Sequence, residues 1–322
     1  MLIQSKRYAA AAVAGITLFL LLVGHYSYTL LSGGNGIYRQ LRLATQQAPA
    51  ALLSQPFPPK IWQSWKDDSE IPTGRTAGFP HRWRAANPDW RYERITDDNI
   101  DAYVLNSFDG AISELFTTLK DPILKADFLR YLILLKEGGL WADIDVLPHQ
   151  PVTKWIPERY RNNKVNLVIG IENDHHQQPI WPGSPYSVQL CQYTVLAKPG
   201  HPAIQGIVDQ VVRNLEELLD KKNASSSEQP GATTTFEDVM ATTGPFAFTK
   251  VLMEYFTAVT GVEHTGDELD GLDEPRLIGD VLVLPKDSFG WLPQEHTLPR
   301  GDPAILVEHL FIGSWRDSHP DD

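Results

Sequence analysis

The sequence predicts an α/β domain built on a mixed, mostly parallel β-sheet and preceded by one membrane-spanning helix. Short runs rich in β-branched and aromatic residues alternate with longer amphipathic stretches, which is the pattern of strands followed by helices. The continuous apolar run from Val165 to Ile171 fits a central strand covered on both faces. Near the N-terminus, the uncharged run from Tyr8 to Leu31 is long enough to span a bilayer, which takes about 20 residues.

The N-terminal run is typical of an uncleaved signal anchor. Lys6 and Arg7 precede it, and tyrosines follow its densest apolar part, as in a helix whose N-terminus stays in the cytosol. A cleaved signal peptide is the competing interpretation, but no small-x-small cleavage site follows closely. We expect a cytosolic tail at 1–7, a membrane helix at 8–31, a stem at 32–56 and a luminal domain at 57–322.

Composition limits the other classes of function. The 322 residues carry a net charge of −12, and the acidic residues are spread along the chain, which argues against nucleic acid or an anionic membrane surface as the main partner. Cys191 is the only cysteine, so no intrachain disulfide can form. Asn223 begins an Asn-Ala-Ser sequon in a polar segment, which would be glycosylated only in the lumen.

The first half of the domain alternates strands with helices. The runs Lys60 to Trp65 and Trp90 to Ile95 are rich in β-forming residues and predict strands. Residues 75–86 predict a helix that ends at Asn87-Pro88. The run Thr96-Asp97-Asp98 predicts the cap of a helix that continues to about Asn106.

The block DPILKADFLRYLILLKEGGLWADIDVLP, residues 121–148, is the centre of the domain. Asp121 predicts an N-cap, Pro122 suits the first helical position and the pair Gly138-Gly139 predicts the end, so residues 122–137 form one helix. Its second half is apolar all round, which predicts a buried helix. A strand from Leu140 to Leu147 is expected to follow.

Four charged residues in this block predict a binding site. Asp127 and Arg130 share one face of the buried helix, and Asp143 and Asp145 point the same way if they lie on a strand. Two like charges need a positive partner, and a divalent cation such as Mn²⁺ or Mg²⁺ would supply it. The alternative is a turn-capping aspartate pair balanced by Arg130 or Lys136.

The second half of the domain contains further strands and helices, each with a polar end. The strand that begins at Val165 ends in Glu172-Asn173-Asp174, either a ligand contact or a plain strand-end loop. Hydroxyl groups precede the helix at Thr242, as a polar-ligand site or as a simple cap. The remaining predicted elements are a strand at Ser187–Leu196, a helix at His201–Leu219, a strand at Val281–Leu284 and an alternating tail with Val307, His309 and Phe311.

Five ordered blocks resemble glycosyltransferase family 32, especially the fungal Golgi α-1,6-mannosyltransferases that initiate the outer chain of N-glycans. More distantly, the sequence is similar to the clostridial glucosylating toxins. The blocks are PPKIWQSWKDD at 58–68, ADFLRYLILLKEGGLWADIDVLP at 126–148, CQYTVLAKPGHPAI at 191–204, TTGPFAFT at 242–249 and EHLFIGSW at 308–315. The resemblance implies a GT-A-like nucleotide-sugar-binding domain.

The resemblance also implies roles for residues of the central block and the tail. Asp127 and Arg130 would bind the hydroxyls of the donor sugar, with an ion pair within the helix as the alternative, and Asp143 and Asp145 would hold Mn²⁺ against the diphosphate. His309 would complete the metal shell, although a structural histidine is an equal alternative. Here Glu308 precedes it where the family more often has a second histidine, so the resemblance leaves open which of the two reaches the metal.

Three further contacts with the nucleotide are implied. Trp62 or its neighbour Gln63, on the first strand, would meet the base, although a core aromatic is an equal alternative for Trp62. Ser314 and Trp315 would lie near the diphosphate.

The reaction implied is transfer of mannose from GDP-mannose to a glycan or glycoprotein hydroxyl, with retention at the anomeric carbon. The expected location is the Golgi membrane with the catalytic domain in the lumen, in a complex with other Golgi mannosyltransferases or alone. Another donor, a sphingolipid acceptor and an inactive membrane-tethered subunit remain alternatives. A metal-dependent phosphohydrolase is disfavoured because His149 is the only further candidate ligand near the aspartates.

Overall fold

The computed structural model describes residues 50–68, 78–108, 110–174, 186–225, 234–294, 298–313 and 319, without the side chains of residues 50 and 223–225. The predicted membrane helix, most of the stem, the Asn223 side chain, Ser314 and Trp315 lie outside this set, and their predictions stay predictions. Among the described helices, none combines the length and the apolar character needed to cross a bilayer.

The chain alternates strands with helices, as predicted. The helices are α1 (Ala50–Leu53), α2 (Phe79–Ala86), α3 (Ile100–Ser107), α4 (Ala111–Thr118), α5 (Pro122–Lys136), α6 (Pro202–Ser225), α7 (Phe236–Thr242), α8 (Pro245–Thr260) and α9 (Lys286–Phe289). The strands are β1 (Lys60–Trp65), β2 (Arg91–Thr96), β3 (Gly139–Ala142), β4 (Val146–Pro148), β5 (Leu167–Asp174), β6 (Val188–Leu190), β7 (Thr194–Ala197), β8 (Arg276–Ile278), β9 (Val281–Leu284) and β10 (Val307–His309).

Eight strands form one mixed sheet in the order β2-β1-β3-β7-β5-β9-β8, with β6 paired to β5. β1 is parallel to β2 and β3, and β5 is parallel to β9. β7 lies antiparallel between β3 and β5, and β6 and β8 are also antiparallel to their neighbours. Thus β1, β2, β3, β5 and β9 run in one direction, which confirms the mixed, mostly parallel sheet. The C-terminal ends of these strands meet at one edge, where α/β sheets bind ligands.

Two apolar clusters cover the two faces of the sheet. The larger contains α5, α6 and α8, with Phe128, Ile207 and Val251 fully buried. The smaller lies under α2 and α9, where Trp83 and Phe289 both pack near the Trp155 ring. Full burial of such a side chain contributes about 1.5–3 kcal/mol to folding, so packing on both faces stabilises the sheet.

The helix α5 forms as its sequence predicts. The Asp121 side chain accepts a hydrogen bond from the Ile123 N–H at 3.3 Å, and Pro122 occupies the first turn. The glycine pair after the helix is required by geometry, because Gly139 has φ of 91° and a Cβ there would lie 2.7 Å from the Lys60 carbonyl oxygen. Every residue of α5 from Asp127 to Leu134 is buried, which confirms the predicted buried helix.

Two predicted strands are wrong in detail, because tertiary hydrogen bonds interrupt them. The run Leu140 to Leu147 splits into β3 and β4, since the Val146 N–H donates to the Asp143 carbonyl at 3.0 Å and closes a turn. The run Ser187 to Leu196 splits into β6 and β7 because the Cys191 N–H turns toward the Gly170 carbonyl at 2.8 Å. Asp143 and Asp145 therefore lie on a turn and not on a strand.

Helix boundaries also differ from the prediction. α3 begins at Ile100, because the Asn99 side chain accepts the Thr96 N–H at 2.9 Å and ends the preceding turn. The helix predicted to begin at Thr242 begins at Pro245, after a separate helix, α7. α7 and α4 were not predicted, and α6 continues beyond Leu219 into the polar segment.

Candidate active site

The turn between β3 and β4 carries both aspartates to the C-terminal edge of the sheet. The Asp143 N–H donates to the Tyr193 carbonyl at 2.9 Å, and the Gln63 side-chain amide donates to the Asp143 carbonyl at 2.9 Å. The Tyr92 hydroxyl in turn donates to the Gln63 amide oxygen at 2.8 Å. Gln63, predicted to meet a nucleotide, is fully buried and holds this turn in place; its contact with a nucleotide stays a prediction.

Arg130 bridges Asp143, on the turn between β3 and β4, and Asp127, on α5. One guanidinium nitrogen of Arg130 donates to Asp143 Oδ1 and Oδ2 at 2.8 and 3.0 Å, and the other donates to Asp127 Oδ1 at 2.8 Å. The Arg130 and Asp127 side chains are only 3% and 2% exposed, whereas Asp143 is 27% exposed. The bridge therefore connects a buried carboxylate to one that a ligand can reach.

The second oxygen of Asp127 is bound by the segment between α7 and α8. Thr243, which follows the last residue of α7, donates its hydroxyl to Asp127 Oδ2 at 3.0 Å. The Tyr131 hydroxyl lies 2.9 Å from the Thr243 carbonyl and also contacts the Gln192 side-chain oxygen. Thr243, Tyr131 and Gln192 thus link three segments that are distant in the sequence.

Burial and neighbouring charges act in opposite directions on the pKa values of Asp127 and Arg130. Burial raises the pKa of Asp127 to about 6, although Arg130 and the Thr243 hydroxyl favour the ionised form. Burial lowers the pKa of Arg130, but Asp143 and Asp127 outweigh it, and the net shift is upward. Arg130 therefore stays charged, while Asp127 titrates in the weakly acidic range.

Asp143, Asp145 and His309 form a group that could hold a metal ion, hereafter the cation trio. Each offers one ligand atom, and these atoms lie within 4.8 Å of one another. His309 Nε2 is 3.1 Å from Asp145 Oδ1, and the Ile312 N–H donates to Asp145 Oδ2 at 3.0 Å. Burial raises the pKa of Asp145, but His309 and the Ile312 amide outweigh it and leave that pKa below its usual value.

The structure brings His309, and not Glu308, to the aspartates. Glu308 points the other way, because neighbouring residues of a strand face opposite sides. Its carboxylate lies 2.9 Å from His149 Nε2 and accepts from the Arg300 guanidinium at 2.9 Å. The His309 ring is fixed between Tyr193 and Phe311, with both ring centroids 4.0 Å away.

The donor atoms of the cation trio fit a hard divalent cation. Neighbouring ligands of an octahedral ion at about 2.0–2.1 Å lie roughly 3 Å apart, close to the 3.1 Å between His309 Nε2 and Asp145 Oδ1. Asp143 accepts two bonds from Arg130 and one from Trp141 Nε1 at 2.7 Å, so one of its roughly four lone-pair positions remains. Arg130 already offsets the charge of Asp143, so charge repulsion alone does not require a cation.

Trp62 is placed differently from the other predicted contacts. It is 6% exposed in the larger core cluster, and its indole N–H donates to the Gly138 carbonyl at 3.0 Å. The core alternative describes this position well; the predicted contact with a base is untested.

Sequence reasoning missed several residues of the site. Thr243, Trp141, Tyr131, Gln192 and Tyr193 were not predicted as site residues, although all contact one of the predicted residues or their partners. A partial signal existed for Thr243, because the hydroxyls before α8 indicated a possible polar-ligand site.

Comparison with known proteins decides the family. Residues 75–162, which contain the Arg130 bridge and both aspartates of the turn, match the model "Glycosyltransferase sugar-binding region containing DXD motif". A Candida albicans protein named initiation-specific alpha-1,6-mannosyltransferase is 30% identical over 288 residues, covering 82% of this chain and 73% of that protein. This chain belongs to glycosyltransferase family 32. The predicted resemblance is confirmed.

Two further comparisons show how far the similarity of this family 32 chain to other proteins extends. A Schizosaccharomyces pombe protein, also named initiation-specific alpha-1,6-mannosyltransferase, is 34% identical over 268 residues, covering 81% of this chain. The chain spans 64% of the length of that relative. A solved structure, the PaToxG glycosyltransferase, is 17% identical, covers 73% of this chain and 81% of its own, and has a TM-score of 0.39.

Proposed function

We propose that this glycosyltransferase is a retaining α-mannosyltransferase that moves mannose from GDP-mannose to a glycan hydroxyl, in an α-1,6 linkage that initiates N-glycan outer chains. The names of the relatives support the sugar and the linkage. The observation that carries the proposal is the Arg130 bridge, which ties the buried Asp127 to Asp143 of the cation trio. Sugar recognition and diphosphate binding would then meet at one sheet edge, in a GT-A-like domain.

The residues of the bridge suit a neutral, hydroxyl-rich sugar. Asp127 is an acceptor that Arg130 and Thr243 hold from both sides, and an ionised carboxylate binds sugar hydroxyls through strong charge-assisted hydrogen bonds. The planar guanidinium of Arg130 donates to the carboxylates of both Asp127 and Asp143 and fixes their orientation. This arrangement would orient the mannose ring before reaction, with little reorganisation during it.

A divalent cation, Mn²⁺ or Mg²⁺, bound by Asp143, Asp145 and His309 would neutralise the charge that develops on the departing diphosphate. In the proposed step, the bond between the anomeric carbon and the diphosphate oxygen breaks, and the acceptor oxygen bonds to that carbon from the same side. The acceptor proton passes to the departing diphosphate oxygen, so GDP leaves with the proton. Within the site, His309 and Ile312 orient Asp145, and Trp141 orients Asp143.

The experiment is a donor panel. The full chain in detergent, with Mn²⁺, is incubated with GDP-mannose, UDP-glucose or UDP-galactose, and release of free nucleotide is measured. We expect release from GDP-mannose at least tenfold faster than from the uridine donors. As a control, Asp101→Asn removes an exposed aspartate paired with Lys125 and should leave the preference unchanged. Faster release from a uridine donor would contradict the assignment of GDP-mannose.

We also propose that the protein is a type II Golgi membrane protein with its catalytic domain in the lumen, alone or beside other Golgi mannosyltransferases. The support is the uncharged run from Tyr8 to Leu31 after Lys6 and Arg7. In sealed microsomes, an added protease should leave the domain intact until detergent is added. Digestion without detergent would contradict the luminal location.

A further inference from the structure

Two buried amide side chains face each other where β5 ends. The pairing of β5 with β6 is irregular between Ile171 and Asn173, and this bulge sets Asn173 opposite Gln189. Asn173 is 6% exposed and Gln189 is 4% exposed. Among the described residues, neither side-chain oxygen has a hydrogen-bond partner. The sequence alone indicates for Asn173 either a contact with the acceptor or the donor, or a plain strand-end loop.

Unpaired buried amides are uncommon, because water no longer satisfies them and folding loses that free energy. In the buried amide of Gln63, by contrast, the nitrogen donates to the Asp143 carbonyl and the oxygen accepts from Tyr92. The side-chain oxygens of Asn173 and Gln189 lack a partner within the described part of the chain. A ligand that donates hydrogen bonds would satisfy both oxygens.

The amide pair lies at the same edge of the sheet as the cation trio and on the face of Tyr193, which contacts His309. β5 runs in the direction of β3, so Asn173 and Asp143 follow strands that end at one edge. The neighbours of Gln189, Val188 and Leu190, pack in the larger core cluster. Gln189 therefore faces the other side. It shares this side with Tyr193 of the smaller cluster, whose ring lies 4.0 Å from the His309 ring between centroids.

The amide pair and the donor site differ in charge. The donor diphosphate is anionic and would bind to the positive charges of Arg130 and of a cation held by the cation trio. Asn173 and Gln189 are neutral, and amide oxygens accept hydrogen bonds from neutral hydroxyls. Asp174, next along β5, contacts the Gly271 N–H at 3.3 Å and its strand partner is the core residue Val188, so it belongs to the opposite face.

We propose that Asn173 and Gln189 form a subsite for the acceptor glycan, in which hydroxyls of the acceptor sugar donate to the two amide oxygens. The inference rests on the proposed mannosyltransferase function and adds the residues that recognise its second substrate. The subsite holds the acceptor beside the cation trio, on the side of Tyr193 and His309.

The test uses apolar variants of nearly the same size, Asn173→Leu and Gln189→Met, in the full chain. The KM for a mannose-containing oligosaccharide acceptor is measured at saturating GDP-mannose, together with hydrolysis of GDP-mannose without acceptor. Each variant should raise the acceptor KM roughly threefold to tenfold, the effect of one neutral hydrogen bond. Hydrolysis and the KM for GDP-mannose should stay within twofold of the wild type.

Melting temperature provides an independent readout. If the amides have no partner without acceptor, apolar replacements remove unsatisfied polar groups, and the melting temperature should stay the same or rise. The matched control is Asn166→Leu, since Asn166 is also 6% exposed with an unpartnered oxygen but precedes β5, at the opposite edge, and donates to Asp280 at 2.8 Å. This control should lower the melting temperature and leave the acceptor KM unchanged.

Three outcomes would overturn the subsite. An unchanged acceptor KM in both variants, or a fall in donor hydrolysis parallel to the loss of transfer, would show that the amides do not bind acceptor. A loss of stability in both variants would contradict the premise that the two oxygens have no partner without acceptor. A wild-type protein that releases no GDP from GDP-mannose would instead refute the proposed function. The two failures are therefore distinguishable.

Discussion

Replacing Arg130 by methionine removes the guanidinium but keeps most of the side-chain volume. Arg130 is 3% exposed and donates to Asp127 and Asp143 at 2.8 Å each. Its loss leaves Asp127, which is 2% exposed, as a buried carboxylate without a cation. Removing one partner from a buried ion pair costs about 3–5 kcal/mol. In a domain of this size, each kcal/mol lowers the melting temperature by about 2–4 °C.

We therefore expect Arg130→Met to melt at least about 6 °C below the wild type near neutral pH. The matched control is Lys60→Met, which breaks an ion pair of the same length, 2.8 Å, between Lys60 and Glu137, whose side chains are 29% and 31% exposed. Exposed pairs contribute about 0–1 kcal/mol, so this control should melt within about 4 °C of the wild type.

The assay is thermal unfolding followed by circular dichroism at pH 7.5, with urea unfolding as a second measurement. Because the two ion pairs have equal lengths, distance does not explain a difference between the variants; burial and the second carboxylate of Arg130 do. Equal losses of stability in Arg130→Met and Lys60→Met would refute the argument that Arg130 compensates a buried carboxylate.

Three further predictions test other parts of the site. Because the pKa of Asp127 is raised to about 6, the folded state binds this proton more tightly than the unfolded state. Stability from this group is full below about pH 4 and is lost as the pH rises through 6, by roughly 3 kcal/mol; urea unfolding should show this slope in the wild type and not in Asp127→Asn. The same variant should bind GDP normally but GDP-mannose more weakly in calorimetry, whereas equal losses for both ligands would defeat its role in sugar binding. Gly139→Ala should melt well below Gly261→Ala, because both glycines have positive φ but only Gly139 would place a Cβ 2.7 Å from a carbonyl oxygen; similar melting temperatures would contradict the clash.

Local signals were sufficient to predict α5. Asp121, Pro122 and the pair Gly138-Gly139 act within a few residues of the helix ends, so the sequence contains the complete reason for its boundaries. The direction of the sheet strands also followed from the alternation of strands with helices. The boundaries of α5 depend on contacts between near neighbours in the sequence, whereas the sheet pairs strands that are far apart in the chain.

The geometry of the site depends on contacts between distant segments. The turn at Asp143 is held by Gln63 and Tyr193, which lie on other strands or loops, and no local pattern indicates a turn there. The sequence placed Asp127 and Arg130 on one face of a helix but could not show that Arg130 also reaches Asp143. Thr243, 116 residues from Asp127, completes the site because the junction of α7 and α8 lies against α5.

The dependence of GDP-mannose turnover on a divalent cation tests the central claim most directly. GDP release by the full chain is measured with Mn²⁺, after addition of a chelator and after excess Mn²⁺ is restored, for the wild type and for Asp145→Ala. We predict that the chelator abolishes release by the wild type and that Mn²⁺ restores it. Asp145→Ala should bind nucleotide more weakly in Mn²⁺ and fall at least 100-fold in rate while keeping its fold. Release that persists in chelator, or an Asp145→Ala variant with wild-type rates, would contradict a cation site at Asp143, Asp145 and His309.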